Sequence, residues 1–352
     1  MKILIAGDDF TPSTLFQRCL KERLKKTSKE LEFDMFDIGP EQVLSEKLTE
    51  VREYWGNPQD LIDRIKGVEV LVVTFAPVTA KVIEAANDLR VIGCARGGPV
   101  NVNIEAATKK GIPVLNTPGR NAEAVAEYTF GLVLTLTRNI HRAITYVRNG
   151  KWTTPREDTF EKPTGPELWG RTIGIVGFGQ VGSRVGAMAK ELGMNILIYD
   201  PYISKQKVEA IGKVVDLQTL LQKSDIVTLH TRLPSEVKAL IGAREFALMK
   251  KEAYIINTSR ANALDEEVLY DMLRNGRLAG AALDVFRNEP ISVDHPILKL
   301  DNVIVTPHAA GVSTDIPLMT CRMMAQDIEK FLKGKRPEHV MNPTAIKEFN
   351  GN

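Results

Sequence analysis

Thr172-Ile173-Gly174-Ile175-Val176 runs directly into Gly177-Phe178-Gly179-Gln180-Val181-Gly182. This is G-x-G-x-x-G between a run fit for a strand and a helical pattern, Ser183–Leu192, and that setting gives the motif its meaning. Gly177 suits the tight turn, and Gly179 lets the backbone approach a pyrophosphate. Gly182 lets the helix pack close to the sheet, so that its N-terminus faces the phosphates. The next apolar run, Asn195–Tyr199, ends in Asp200, eighteen residues beyond Gly182. A carboxylate there meets the ribose hydroxyls of a dinucleotide and repels a 2′-phosphate, favouring NAD over NADP. Strand-end glycines can serve plain turns and Asp is common on surfaces, but together and in this order they read as a dinucleotide site.

Three further polar residues follow at the ends of successive strand-like runs: Arg260 in Asn257-Thr258-Ser259-Arg260, Glu289 in Asn288-Glu289-Pro290, and His308 in Thr306-Pro307-His308. The chemistry they could share beside a dinucleotide is hydride transfer to or from a 2-hydroxy acid. That reaction needs a base for the hydroxyl proton, and His is the side chain suited to the task near neutral pH. A carboxylate beside the imidazole would favour its charged form and fix its tautomer. Arg holds a planar carboxylate through paired hydrogen bonds and polarises a developing carbonyl. Taken singly, each has an ordinary reading: a surface or capping Arg, a Glu-Pro turn, one of five histidines. Their order after the glycine motif carries the argument.

The elements that must position these groups alternate along the chain in the rhythm of parallel α/β sheets. Strands are expected at Lys2–Ala6, Glu32–Ile38, Val68–Thr74, Val91–Ala95 and Pro113–Asn116. A second set is expected at Thr172–Val176, Asn195–Tyr199, Ile226–His230, Tyr254–Asn257, Ala281–Val285 and Val303–Thr306. One long helix, Asn121–Arg148, with Asn121 as its N-cap, separates the two sets. Asn149–Gly170, rich in Pro and polar residues, reads as a surface loop. The glycine motif lies about 170 residues into the chain, so the nucleotide fold is expected as an insertion. The fold class is then α/β with two Rossmann-like domains. A cofactor domain over 120–311 interrupts a substrate domain made of 1–119 and 312–352, with the helix Leu318–Leu332 returning to cover it.

Lys and Arg number 46 against 44 Asp and Glu, a net charge of +2, and nucleic acid is therefore not an expected partner. Cys19, Cys94 and Cys321 are odd in number and without metal-ligand spacing, so neither a disulfide framework nor a metal site is expected. The run Met1–Gly7 is too short for a signal peptide, no window has the length of a membrane helix, and a reducing cytoplasm is the expected compartment.

With these residues in place the chain resembles the D-isomer-specific 2-hydroxyacid dehydrogenase family, relatives of D-3-phosphoglycerate dehydrogenase and hydroxypyruvate/glyoxylate reductase. The likeness runs from about Leu89 to Asn342 and includes Gly111-Ile112-Pro113-Val114-Leu115-Asn116-Thr117-Pro118-Gly119, Ser224-Asp225-Ile226-Val227-Thr228-Leu229-His230 and Gly280-Ala281-Ala282-Leu283-Asp284-Val285-Phe286. The resemblance implies a catalytic set of His308 as proton acceptor, Glu289 as its partner and Arg260 as the substrate anchor. It implies a cofactor site on Gly177 to Gly182 (Phe178, Gln180 and Val181 included) and Asp200. His230, Thr231 and Thr258 would line the coenzyme groove, with Asp284 at the nicotinamide carboxamide. It further implies NAD, an active site in the cleft between the domains, and a homodimer built on the cofactor domains. The substrate would be a small 2-hydroxy or 2-oxo acid whose carboxylate sits on the backbone of Gly97 and Gly98.

The sequence departs from the family pattern at Arg96, at Asn103 where Asp is common, and at Ala261 where Gly commonly follows the catalytic Arg. Arg96 either reaches a further anionic group such as a phosphate or turns to a surface acid. The chain stops soon after Pro343, so a serine-binding regulatory domain is not expected. Two other functions share the scaffold: a formate dehydrogenase, which carries Gln where Glu289 stands, and an NAD-sensing corepressor, which would keep the same residues.

Overall fold

A computed structural model describes residues 1–25, 30–39, 48–152, 164–204, 208–231 and 239–346. They form two compact units, Met1–Arg120 joined by Ser313–Asn352, and Asn121–Val312.

The first unit holds a parallel sheet of β1 (Lys2–Asp8), β2 (Glu32–Ile38), β3 (Val68–Val73), β4 (Val91–Cys94) and β5 (Val114–Leu115), in the order β2-β1-β3-β4-β5. β1, β3 and β4 are almost continuous Val/Ile/Leu runs because helices cover both of their faces. One face packs Leu4, Leu71 and Ile92 with Leu61, Val82 and Ile83. The other packs Ile3, Ile5, Val70 and Val72 against two helices, Ser13–Leu24 and Ile316–Leu332, through Phe16, Leu20, Cys321, Met324 and Ile328. The strand order reverses between β1 and β3, so loops at the carboxyl ends, including Arg96–Pro99 after β4, border the crevice where such sheets bind ligands.

The second unit holds seven parallel strands: β6 (Thr172–Val176), β7 (Asn195–Tyr199), β8 (Lys213–Val214), β9 (Ile226–Leu229), β10 (Tyr254–Asn257), β11 (Gly280–Leu283) and β12 (Val303–Val305). Their order is β12-β11-β10-β9-β6-β7-β8, which reverses between β6 and β9. Every residue of this unit singled out for chemistry except Glu289 lies just past a carboxyl end: Gly177 after β6, Asp200 after β7, His230 after β9, Arg260 after β10, Asp284 after β11 and His308 after β12.

Several expectations change. The single helix Asn121–Arg148 is two, Ala122–Thr137 and Ile140–Arg148. Asn139 breaks it at φ 53°, ψ 33°, a left-handed conformation that Asn tolerates better than most residues. Its side-chain amide donates to the carbonyl of Thr164, which holds the break open. Asn121 does not cap the first of the two helices, because its side chain turns to Gly311. The helix after the glycine motif begins at Gln180, inside the motif, and not at Ser183. β8 is a two-residue strand without a sequence signal of its own. Half of the expected loop Asn149–Gly170 lies outside the described residues. No helix among those described is long and apolar enough to cross a membrane.

Candidate active site

His308 and Glu289 meet directly in the second unit. Nδ1 of His308 lies 2.7 Å from Oε2 of Glu289. An ionised carboxylate only accepts, so Nδ1 carries the proton and Nε2, without a partner among the described residues, is left to exchange one. The other carboxylate oxygen accepts from the Phe286 amide at 2.8 Å, which fixes the Glu289 side chain within its own turn. Burial works against the charge of Glu289. The hydrogen bonds from His308 and Phe286, with the charges of His308 and Arg260, outweigh it and hold the carboxyl below its usual range.

His308 occupies the left-handed region at φ 53°, a conformation that costs a non-glycine residue about 1–3 kcal/mol. Asp284 supplies the compensation. Its carboxylate, 1% exposed, accepts from the Thr306 hydroxyl at 2.5 Å and from the amides of Ala309 and Ala310 at 2.9 Å each. These three bonds bracket His308 on both sides. Asp284, expected at a nicotinamide carboxamide, is thus committed on both oxygens to the loop that carries the histidine. The sequence reading did not foresee this task.

Arg260 is exposed at the end of β10, and its turn is fastened by the fully buried Asn257. The Asn257 side chain donates to the Arg260 carbonyl at 2.9 Å and accepts from the amide and hydroxyl of Ser259 at 3.0 and 2.9 Å. Asn257 was also missed as a working residue, although an Asn at a strand end followed by Ser is a readable turn signal. Among the described residues the Arg260 side chain bonds the Ser259 carbonyl at 2.7 Å, which leaves most of its donors available there.

The glycine turn is built as the motif requires. Gly177 has φ 89°, and a Cβ there would sit 2.7 Å from the His230 carbonyl. A Cβ on Gly182 would come within 2.1 Å of the Gly177 carbonyl, so no larger residue fits this turn. Asp200 accepts from the Phe178 amide at 2.8 Å and from the Tyr202 amide at 2.9 Å, which ties β7 to the turn. Among the described residues the amides of Gly179, Gln180 and Val181 have no acceptor, and the helix Gln180–Glu191 starts there. That is an anion site of the kind helix N-termini provide. The Thr231 hydroxyl beside Gly177 is buried without a partner among the described residues. A dinucleotide fits these features: free amides for its phosphates, an orphaned hydroxyl for a further polar group, and a carboxylate on the next strand. His230 bonds Thr228 through Nε2 at 3.0 Å, and burial pulls its imidazole down to about 3, so it stands beside the glycine turn as a neutral ring. The Thr258 hydroxyl bonds that of Thr129 at 2.7 Å, which joins the strand end that carries Arg260 to the helix Ala122–Thr137.

In the first unit, the amides of Gly97 and Gly98 have no acceptor among the described residues. Their loop is held open by the Asn116 side chain on the Gly97 carbonyl at 2.9 Å and by the Thr117 amide on the Arg96 carbonyl at 2.9 Å. Arg96 is not free. Its guanidinium bonds the Glu53 carbonyl at 2.8 Å, pairs with the Glu53 carboxylate, and lies 4.7 Å over the ring of Phe75. Asn103 caps the helix Ile104–Lys109 through Oδ1 while its Nδ2 donates to Glu50. An Asp at that position would meet Glu50 with like charge, which accounts for the departure.

Comparison with known proteins bears on these sites. Residues 130–310 match the model of the D-isomer specific 2-hydroxyacid dehydrogenase NAD binding domain. The chain is 42% identical over 287 residues to D-3-phosphoglycerate dehydrogenase of Methanocaldococcus jannaschii, over 81% of this chain and 53% of that protein. It is 38% identical over 289 residues to glyoxylate reductase of Korarchaeum cryptofilum, over 82% of this chain and 86% of the relative. The solved apo-structure of D-lactate dehydrogenase from Escherichia coli superposes with a TM-score of 0.67 at 25% identity, over 97% of this chain and 100% of that one. The chain spans about half the length of the D-3-phosphoglycerate dehydrogenases it matches.

Proposed function

Because the chain belongs to the D-isomer specific 2-hydroxyacid dehydrogenase family, we propose that it is an NAD-dependent oxidoreductase of the CH–OH group of a small D-2-hydroxy acid, or of the matching 2-oxo acid in reverse. The observation that carries this reading is the 2.7 Å contact of His308 with Glu289 on the sheet edge that also bears the dinucleotide turn. Gly177 to Gly182, Asp200 and the His230–Thr231 segment would hold NAD, whose nicotinamide would supply or accept the hydride. In the oxidative direction the C2 hydroxyl proton passes to Nε2 of His308, while Glu289 keeps Nδ1 protonated and stabilises the imidazolium. Arg260 binds the substrate's carboxylate and polarises its developing carbonyl. The free amides of Gly97 and Gly98 offer the carboxylate further donors.

The test is a screen of NADH oxidation over glyoxylate, pyruvate, hydroxypyruvate and phosphorylated 2-oxo acids. Turnover with at least one of them is expected, and none with any would remove the reading. Asp200→Ala is expected to relax the preference for NADH over NADPH, read as the ratio of their kcat/KM values. A loss that falls equally on both cofactors would reduce Asp200 to a support of the glycine turn.

A homodimer and a cytoplasmic setting complete the proposal, the latter supported by three buried free cysteines. The helix Ile140–Arg148 buries no residue and presents Ile140, Ile144 and Val147 along one exposed face, with Trp152 and Trp169 also exposed in the same unit. Such an apolar stripe needs a cover. Ile144→Asp is expected to halve the mass measured by light scattering, and an unchanged mass would move the interface elsewhere.

A further inference from the structure

The segment from Glu50 to Trp55 is strapped onto the loop that follows β4 and onto its surroundings. The Arg52 amide donates to the Val100 carbonyl at 2.9 Å, and the Trp55 amide to the Phe75 carbonyl at 3.0 Å. The rings of Trp55 and Phe75 stack 4.1 Å apart, and Arg96 lies on the far side of Phe75. Glu50 holds the Ala80 amide at 2.9 Å and the Asn103 side chain. Glu53, held at φ 50°, sends its carboxylate to Arg96. Two of the residues that depart from the family pattern, Arg96 and Asn103, are therefore the two anchors of one strap.

We propose that Glu53 is a specificity-determining residue: by occupying Arg96 beside the free amides of Gly97 and Gly98, it confines the enzyme to acids with a single anionic group. This rests on the proposed function, in which those amides take the substrate carboxylate. An unoccupied guanidinium one residue from them would form a paired site for a phosphate or a second carboxylate. The Glu53 carboxylate takes one of the guanidinium's donors and sets a negative charge against it, while the bond to the Glu53 backbone carbonyl persists whatever the side chain. Discrimination of this kind comes from repelling the wrong ligand as much as from holding the right one. Arg120 and the buried Asp8 lie in electrostatic reach of the same loop, but they bring one charge of each sign and leave the balance unaltered. The side chain of Arg96 is only 15% exposed and that of Glu53 is 67% exposed, so removing Glu53 uncovers the cation without opening a core.

The experiment compares kcat/KM for two matched pairs, hydroxypyruvate with 3-phosphonooxypyruvate and pyruvate with oxaloacetate. The proteins are wild type, Glu53→Gln, Glu53→Ala and the double variant Glu53→Ala/Arg96→Gln. Wild type is expected to favour the singly charged member of each pair. Glu53→Ala should raise the relative kcat/KM of the doubly charged member about tenfold or more, the worth of one or two charge-assisted hydrogen bonds. Glu53→Gln, which keeps the shape and loses the charge, should shift it in the same direction. The gain should vanish when Arg96 is also replaced. Wild-type turnover with ratios that both Glu53 variants leave alone, or a wild-type preference for the phosphorylated acid, overturns the inference and spares the functional reading. Wild-type protein inert towards all four acids overturns both.

Discussion

Replacing His308 by Ala is expected to lower kcat by about 10²- to 10⁴-fold, the range that general acid–base groups contribute, while the Kd for NADH stays close to that of wild type. The expectation follows from how completely the proton route depends on one atom. Glu289 is not placed to stand in, because it lies behind the ring on Nδ1, an imidazole's width from the proton that Nε2 takes, and its other oxygen is held by the Phe286 amide. The cofactor turn lies on other strands, so its affinity reports an intact fold independently of the lost base. Added imidazole should restore part of the turnover. If turnover survives the substitution without it, the proton acceptor lies elsewhere and the assignment of the pair is wrong.

The second large effect is expected at Asp284. An Asn of the same size can keep one oxygen on two of the three donors around it, but its NH2 group must then face the remaining N–H. One charge-assisted hydrogen bond is lost in a buried setting, at about 2–3 kcal/mol of stability. The larger consequence falls on His308, whose left-handed backbone conformation depends on those bonds. Asp284→Asn should lower kcat about 10²-fold, the scale on which a catalytic group displaced by about an ångström loses rate. The KM of the 2-oxo acid should change far less. Loss of stability alone would lower the active fraction and the melting temperature while leaving kcat per folded molecule as it was, and that result would deny Asp284 its positioning role.

How far the sequence led can be judged from these same residues. The strands were legible because a sheet covered on both faces must be written in uninterrupted Val, Ile and Leu, as in Ile3–Ala6 and Val70–Val73. Arg260 and His308 were legible because strand ends are where an α/β sheet exposes polar groups, and the turn before Gly182 because only glycine fits it. What stayed hidden was pairing across long stretches of chain. Nothing local in Asp284 foretells that it will bind amides 25 and 26 residues away. Nothing in Arg96 announces a partner 43 residues earlier, and both alternatives left open for it were chemically sound. The helix break at Asn139 is a different case. The apolar spacing that continues through Ile140, Ile144 and Val147 outweighed a single Asn, although that residue is a recognised stop signal. Asn121 illustrates the reverse: a good capping residue by type, drawn away by a tertiary neighbour at Gly311.

The division of the first unit between both ends of the chain also has a consequence in time. Its five strands are complete once Leu115 has been made, but the helix Ile316–Leu332 that finishes one face of the sheet emerges only about two hundred residues later. At ordinary rates of protein synthesis this interval lasts roughly 10–40 s. Throughout it, among the described residues, the helix Ser13–Leu24 is the one helix of this face that can shield Ile3, Ile5, Val70, Val72 and Val91. The nucleotide-binding unit, uninterrupted from Asn121 to Val312, is meanwhile made in one pass. The segment that starts the chain is therefore the last to be finished, and a nascent chain released only as far as Val312 would carry a complete second unit together with an unsealed apolar sheet.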